Sequence, residues 1–227
     1  MKTLIISLGG SIIIPKPNKV DIKFLKKFRQ LILNYVKRGY RIVIITGGGK
    51  INKLYNESAK KITKIKPVDL DWLGIAFTRA NAELVRSIFG NMAHHQIIAD
   101  PTQKISTNKK IIIGCGWKPG CSSDKDAVLI AKTLGAKEVV NLTNIDYVYT
   151  ADPKIDKSAK PIKQMTWDGY KRLIGGKWVP RMNSPFDPIA SRLAAKLKLK
   201  VAIMKGTDLE NFKKYLQGKE FKGTVIS

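Results

Sequence analysis

The chain has 227 residues, 44% of them hydrophobic and 26% charged, enough to bury a core of useful size in one large domain or two fused lobes. No apolar run approaches the roughly 18–20 residues that span a bilayer, which excludes a membrane-spanning helix. The formal charge of +25 would attract polyanions, but lysine is scattered through every segment without a basic stripe and interleaved aromatics, so nucleic acid is not the expected partner.

Leu4-Ile5-Ile6 reads as a buried strand. It runs straight into Gly9-Gly10-Ser11 with no small-residue cleavage pattern, so it is not read as a signal core and the expected compartment is the cytoplasm. From Asp21 to Lys37, apolar residues at Ile22, Leu25, Phe28, Ile32, Leu33 and Val36 mark one helical face, with Asp21 placed to cap and Gly39 to terminate. Ile42-Val43-Ile44-Ile45 is a β-branched run too apolar for an exposed edge, ending in Gly47-Gly48-Gly49. Helices are expected from Ile51 to Ile62 and from Asp71 to Phe89. Ile97-Ile98-Ala99 and Ile111-Ile112-Ile113 read as strands.

A helix follows from Asp124 to Leu134, then a strand at Val139-Val140-Asn141-Leu142. Residues 150–188, rich in lysine, proline and glycine, are the least periodic and predict a loop-bearing excursion with a hairpin or a lid. Helix Ile189–Leu197, strand Val201–Met204 and helix Leu209–Leu216 come next, and Gly223-Thr224-Val225-Ile226 is expected to add an edge strand. Strands alternating with helices imply an α/β fold, a three-layer αβα sandwich around a mostly parallel twisted sheet. Ligands of such sheets collect at the carboxyl ends of the strands.

Four clusters sit at those ends. Gly9-Gly10-Ser11 offers close backbone approach and a hydroxyl, or an ordinary turn. Gly47-Gly48-Gly49-Lys50 precedes a helix, whose unpaired amides favour anions, although a flexible loop has the same composition. Neither cluster matches a Walker A loop or G-x-G-x-x-G. Residues 114–124 again lie between a strand and a helix, where Ser122, Ser123 and Asp124 serve equally as helix caps or as phosphate donors. Asp124 and Asp126 lie about 200° apart around a helix and are not a metal pair. In Leu142–Pro153, Tyr149 stacks on a base or simply packs, and Asp152 before proline is a usual turn former. Cys115 and Cys121 are open to a disulfide, but two cysteines in a chain of intracellular character read as free thiols, and His94 and His95 do not complete a zinc set. Amides, hydroxyls and lysines without a nucleophile–base pair suit phosphoryl transfer between two phosphate-bearing ligands.

In this order the clusters resemble the amino acid kinase superfamily. Leu142–Pro153 is similar to its T-N-x-D-G-V-Y-x-x-D-P segment. Asp71-Trp72-Leu73-Gly74-Ile75, Thr78-Arg79-Ala80-Asn81-Ala82 and Phe186-Asp187-Pro188-Ile189-Ala190 resemble the archaeal-type UMP kinases within it. The resemblance implies one domain over 1–227, with residues 1–135 mainly for UMP and phosphate and 136–227 mainly for ATP. It implies ATP contacts from Gly9, Gly10, Ser11, Gly49, Lys53, Thr143, Tyr149 and Asp152. It implies UMP contacts from Gly48, Asp71, Trp117, Lys118, Pro119, Gly120, Cys121, Ser122 and Ser123, with Asp71 on the ribose. Asp124, Asp187 and Lys53 would be catalytic, the carboxylates organising cations or magnesium that enters with ATP; no residue is assigned as a dedicated metal ligand. It also implies a homohexamer.

The chain departs from the pattern at three places. Ser7 stands where many members of the superfamily carry lysine, Tyr147 occupies the glycine of D-G-V-Y, and Trp117 and Lys118 are bulkier than the usual uracil-side residues; Lys53 also replaces an arginine, keeping charge but losing the bidentate fork. Lys177 and Arg181 are then candidate transition-state cations in a lid. Sibling kinases acting on a carboxylate, carbamate or phosphonate, and a non-catalytic relative on the same fold, are the alternatives.

Overall fold

The computed structural model describes residues 2–175 and 184–227. Its centre is a seven-stranded sheet in the order β3-β2-β1-β4-β8-β9-β7. The strands are β1 (Thr3–Leu8), β2 (Arg41–Thr46), β3 (Ile111–Gly114), β4 (Glu138–Thr143), β7 (Gln164–Met165), β8 (Lys200–Lys205) and β9 (Thr224–Ile226). β5 (Val148–Tyr149) and β6 (Pro161–Ile162) form a separate antiparallel pair. The helices are α1 (Gly10–Ile13), α2 (Ile22–Lys37), α3 (Gly49–Ile62), α4 (Pro67–Phe89), α5 (Ser123–Thr133), α6 (Trp167–Leu173), α7 (Pro188–Lys196) and α8 (Leu209–Leu216).

The central strands are mostly apolar in their interiors because both faces of the sheet are covered. Leu4, Ile6 and Leu8 of β1 face a core with Phe24, Phe28 and Ile32 of α2, Val85 and Phe89 of α4, and Phe212 of α8. Ile5 faces the opposite core, shared with Ala127 and Ile130 of α5, Tyr170 of α6 and Ala190 of α7. Two helical layers on one sheet give the expected three-layer sandwich. The parallel strands from both halves of the chain join in this one sheet, β1 pairing with both β2 and β4.

Some elements differ from expectation. Ile97–Ala99 is not a strand; Ile98 makes one isolated parallel bridge to Gly114, too short a pairing to build a ladder. β9 is not an edge, because it is antiparallel to β8 and carries β7 on its other side. The excursion from residue 150 supplies that β7, half of the β5–β6 hairpin, and the helix α6. α4 begins at Pro67, four residues before Asp71, with proline at its first turn, where an absent N–H costs nothing. α2 is capped as expected by Asp21, whose carboxylate accepts from the Phe24 amide at 2.9 Å.

Candidate active site

In the sheet the chain winds outward from β1 in one direction through β2 and β3 and in the other through β4 and β8. The order therefore reverses between β1 and β4, and the carboxyl ends of these two strands flank the crevice where such folds bind ligands. Gly9 lies there, its amide donating to the Leu142 carbonyl of β4 at 2.9 Å.

The first two glycine clusters pack backbone on backbone. A Cβ built on Gly10 would lie 2.1 Å from the Gly49 nitrogen and 2.5 Å from the Gly47 carbonyl oxygen. Gly49 has φ +78°, and a Cβ there would also meet the Gly10 oxygen at 2.8 Å. Glycine is required at both positions for the two turns to touch. The amides of Gly10, Ser11, Gly48 and Gly49, at the starts of α1 and α3, donate to no backbone carbonyl among the described residues. They form a floor of N–H groups beside the crevice.

α4 fixes the other wall. Asn81, 2% exposed, donates through Nδ2 to the carbonyls of Gly47 at 2.7 Å and Gly48 at 3.2 Å. Thr78 Oγ1 accepts from the Gly116 amide at 2.8 Å, and Asp71 Oδ2 accepts from the Gly120 amide at 3.0 Å. From below, Asp126 Oδ2 accepts from the Trp117 amide at 3.2 Å. The loop of residues 115–121 is thus tied at successive points, and Asp71 is brought against it. Lys118 Nζ sits 3.8 Å over the Trp117 ring, a cation–π contact at the mouth of this loop. Gly120 has φ +76°, and Ser122 caps α5 by accepting from the Lys125 amide at 3.2 Å. Pro119, Cys121 and Ser123 lie on the same part-buried segment.

Asp124 occupies the first turn of α5 under the crevice. Ser7 Oγ donates to its Oδ1 at 2.9 Å, and the Asp187 amide to its Oδ2 at 3.1 Å. Burial pushes Asp124 up to about 6, against the pull of these two bonds, and the neighbouring charge of Asp187 adds to the rise. Asp187 itself caps α7, accepting from the Ala190 amide at 2.7 Å. Asp126 points elsewhere, into the 115–121 loop; burial raises it to about 7, and its Oδ1 has no partner among the described residues. The separation of the two carboxylates around the helix is as the periodicity indicated.

The remaining expected residues divide. Thr143 ends β4, part-buried, and the Gly206 amide donates to its carbonyl at 2.7 Å. Tyr149 is part-buried, with its ring 6.2 Å from and nearly perpendicular to that of Tyr147. Asp152 is exposed and accepts from the Lys154 amide at 2.9 Å, the turn-forming role. Lys53 is exposed on α3 and pairs with Glu57 at 3.7 Å. Lys177 and Arg181 lie outside the described residues. Cys115 and Cys121 are free thiols raised by burial, Cys115 to about 11, which leaves neither a nucleophile at neutral pH.

Two contributors escaped sequence reasoning. Tyr170 of α6 is fully buried; its hydroxyl donates to the Phe186 carbonyl at 2.6 Å and accepts from the Phe186 amide at 2.7 Å, holding the residue before Asp187. The signal was an i, i+3, i+7 apolar row, Trp167, Tyr170 and Ile174, behind Thr166, which caps by accepting from the Gly169 amide. Lys205 ends β8 in register with Thr143, and its ammonium lies 4.0 Å from Asp146. It is a cation at the strand ends, visible in sequence only as the last residue of an apolar run.

The arrangement, a floor of amides between a strand end and a tethered loop, with the part-buried carboxylate of Asp124 beneath, has the donors to hold phosphate groups. The model of the amino acid kinase family matches residues 2–205. A uridylate kinase of Hyperthermus butylicus is 31% identical over 99% of this chain and 97% of its own length. One from Pyrococcus abyssi is 30% identical, covering 98% of each. The crystal structure of uridylate kinase from Archaeoglobus fulgidus superposes with a TM-score of 0.82 at 28% identity, covering 100% of both chains.

Proposed function

The chain belongs to the amino acid kinase family, and from that premise we propose that it transfers the γ-phosphoryl group of ATP to UMP, giving ADP and UDP. The observation that carries this reading is the mutual contact of the Gly9–Ser11 and Gly47–Gly49 turns at the point where strand order reverses. Two phosphate tails laid on those turns share one reacting phosphorus. The full-length likeness to proteins named uridylate kinase supplies the acceptor.

UMP lies on the side of Gly48 and Asp71, with the 117–123 segment around uracil and ribose; ATP lies on the side of Gly9, Gly10, Ser11, Thr143 and Tyr149. Asp71 accepts hydrogen bonds from the ribose hydroxyls, a carboxylate where a kinase for small acids needs a cation. The amides absorb charge that builds on the transferred group. Asp124 and Asp187 fit magnesium, which binds through one or two carboxylates together with substrate phosphates. Asp124 is a part-buried carboxylate raised by desolvation and lies close enough to Asp187 to feel its charge, so a cation held there would favour its ionised form. Magnesium carried by ATP supplies neutralisation of the β- and γ-phosphates. Ser7 and the Asp187 amide orient Asp124 toward that charge.

On this reading the reaction serves pyrimidine nucleotide synthesis, and the cytoplasm is its proposed compartment. No helix among the described residues is long and apolar enough to cross a membrane. The active form is read as a homo-oligomer, a hexamer. In support, α3 has no buried residue, and Leu54, Tyr55 and Ile62 on it, with Val68 and Trp72 of α4, are large exposed hydrophobics.

A coupled assay of ADP release with magnesium, ATP and each of UMP, CMP, dUMP and GMP tests the reading. UMP is expected to give the highest kcat/KM. Equal rates with CMP defeat the uracil claim, and no turnover with any nucleotide defeats the kinase claim.

A further inference from the structure

We propose that Asn81 is a positioning residue that aims the Gly48 and Gly49 amides at the phosphates on either side of the transfer. The inference rests on the assignment of UMP and ATP to this crevice. Asn81 lies in the interior of α4, 2% exposed, where an unpaired amide would be costly. Its Nδ2 spends its protons on the carbonyls of Gly47 and Gly48, at 2.7 and 3.2 Å.

A trans peptide is planar, so its C=O and N–H point in opposite directions. The plane that carries the Gly47 carbonyl carries the Gly48 N–H, and the plane of the Gly48 carbonyl carries the Gly49 N–H. Holding both carbonyls toward α4 therefore turns both N–H groups away from it. Neither N–H donates to a backbone carbonyl among the described residues. Glycines are otherwise free to flip such planes at little steric cost. The Gly10 backbone limits where this turn can go, and Asn81 fixes which way its dipoles face. The same helix carries Thr78 and Asp71, which hold the amides of Gly116 and Gly120, so one rigid element registers the phosphate turn against the acceptor loop. Preorganised amides of this kind cost no reorientation when charge develops.

The test is calorimetric titration of UMP and of uridine into the unmodified chain, Asn81→Ala and Asn81→Asp. Asparagine and aspartate have the same shape, but an ionised carboxylate faces both carbonyls with charge of the wrong sign. Expected is a loss of UMP affinity of about tenfold for alanine and more for aspartate, with uridine affinity changed less than twofold, because uridine has no phosphate. UMP affinity unchanged in both variants, or UMP and uridine weakened by the same factor, overturns the proposal. Failure of the unmodified chain to bind UMP overturns the acceptor assignment, and this inference with it, a result separable because it needs no variant. If the variants do not fold, the amide proton resonances of Gly48 and Gly49 in the unmodified chain decide: they move with UMP and not with uridine, and no difference between the two ligands sinks the idea.

Discussion

Ser7 Oγ donates to Asp124 Oδ1 at 2.9 Å, joining the carboxyl end of β1 to the first turn of α5 across 117 positions of sequence. Where a lysine at this position would bring a formal charge to the crevice, serine instead stabilises the ionised form of a carboxylate.

Burial raises Asp124 to about 6, so its carboxylate is present above that pH and lost as pH falls through it. The acidic limb of kcat against pH is expected near there. Ser7→Ala removes a bond that favours the ionised form, so the limb moves to higher pH by up to about one unit, and kcat at pH 6.5 falls severalfold. A limb that stays in place in the alanine variant rules out Asp124 as the titrating group.

Asp126 gives a stability prediction of definite sign. Its folded value, about 7, lies above its unfolded value near 3.8, so the native state holds the extra proton between them. Stability therefore falls as pH rises from about 4 to 7, then levels. Asp126→Asn keeps the shape and an oxygen for the Trp117 amide while removing the charge. At pH 8 the variant is expected to melt roughly 3–8 °C higher than the parent, with a smaller loss between pH 5 and 8. Some slope remains, because Asp124 titrates in the same sense. A variant that melts lower at pH 8 means that Asp126 has found a cation.

The strands were legible because β-branched runs buried on both faces leave few other readings: Ile42–Ile45 and Val201–Met204 fell inside β2 and β8. The glycine clusters after β1 and β2 marked turns that touch, since only missing side chains allow Gly10 to meet Gly47 and Gly49. α6 was less legible because Gly169 and flanking lysines dilute a row of three apolar residues within eight positions. The roles of Asn81, Thr78 and Tyr170 were not legible at all. Each acts through a bond to the backbone of a residue 16 to 38 positions away, and periodicity carries no record of such bonds.

The two glycine turns respond differently to a methyl group. In Gly10→Ala the added carbon meets backbone atoms at 2.1 and 2.5 Å, which cannot be relieved by a rotamer change. Melting is expected to drop by at least about 1–3 kcal/mol of stability, with activity abolished. In Gly48→Ala the nearest atoms belong to the Asn52 side chain, at 3.1 Å, and its φ of −74° suits alanine. That variant is expected to fold within about 1 kcal/mol of the parent and to lose UMP affinity by tenfold or more. Equal damage in both, by melting curve and KM together, shows that Gly48 serves the fold rather than the ligand.

Asp71 tests the proposed placing of the two nucleotides. Its Oδ2 accepts from the Gly120 amide at 3.0 Å, leaving the other oxygen of a part-buried carboxylate for a ribose hydroxyl. Asp71→Asn retains one oxygen, enough for the loop or for the sugar but not for both. The KM for UMP is expected to rise about tenfold and that for ATP less than twofold, as the loss of one charged hydrogen bond requires. The opposite split means that the donor and acceptor pockets are exchanged. An equal rise in both constants means that the 115–121 loop has come loose and carries α5, and with it Asp124, out of line.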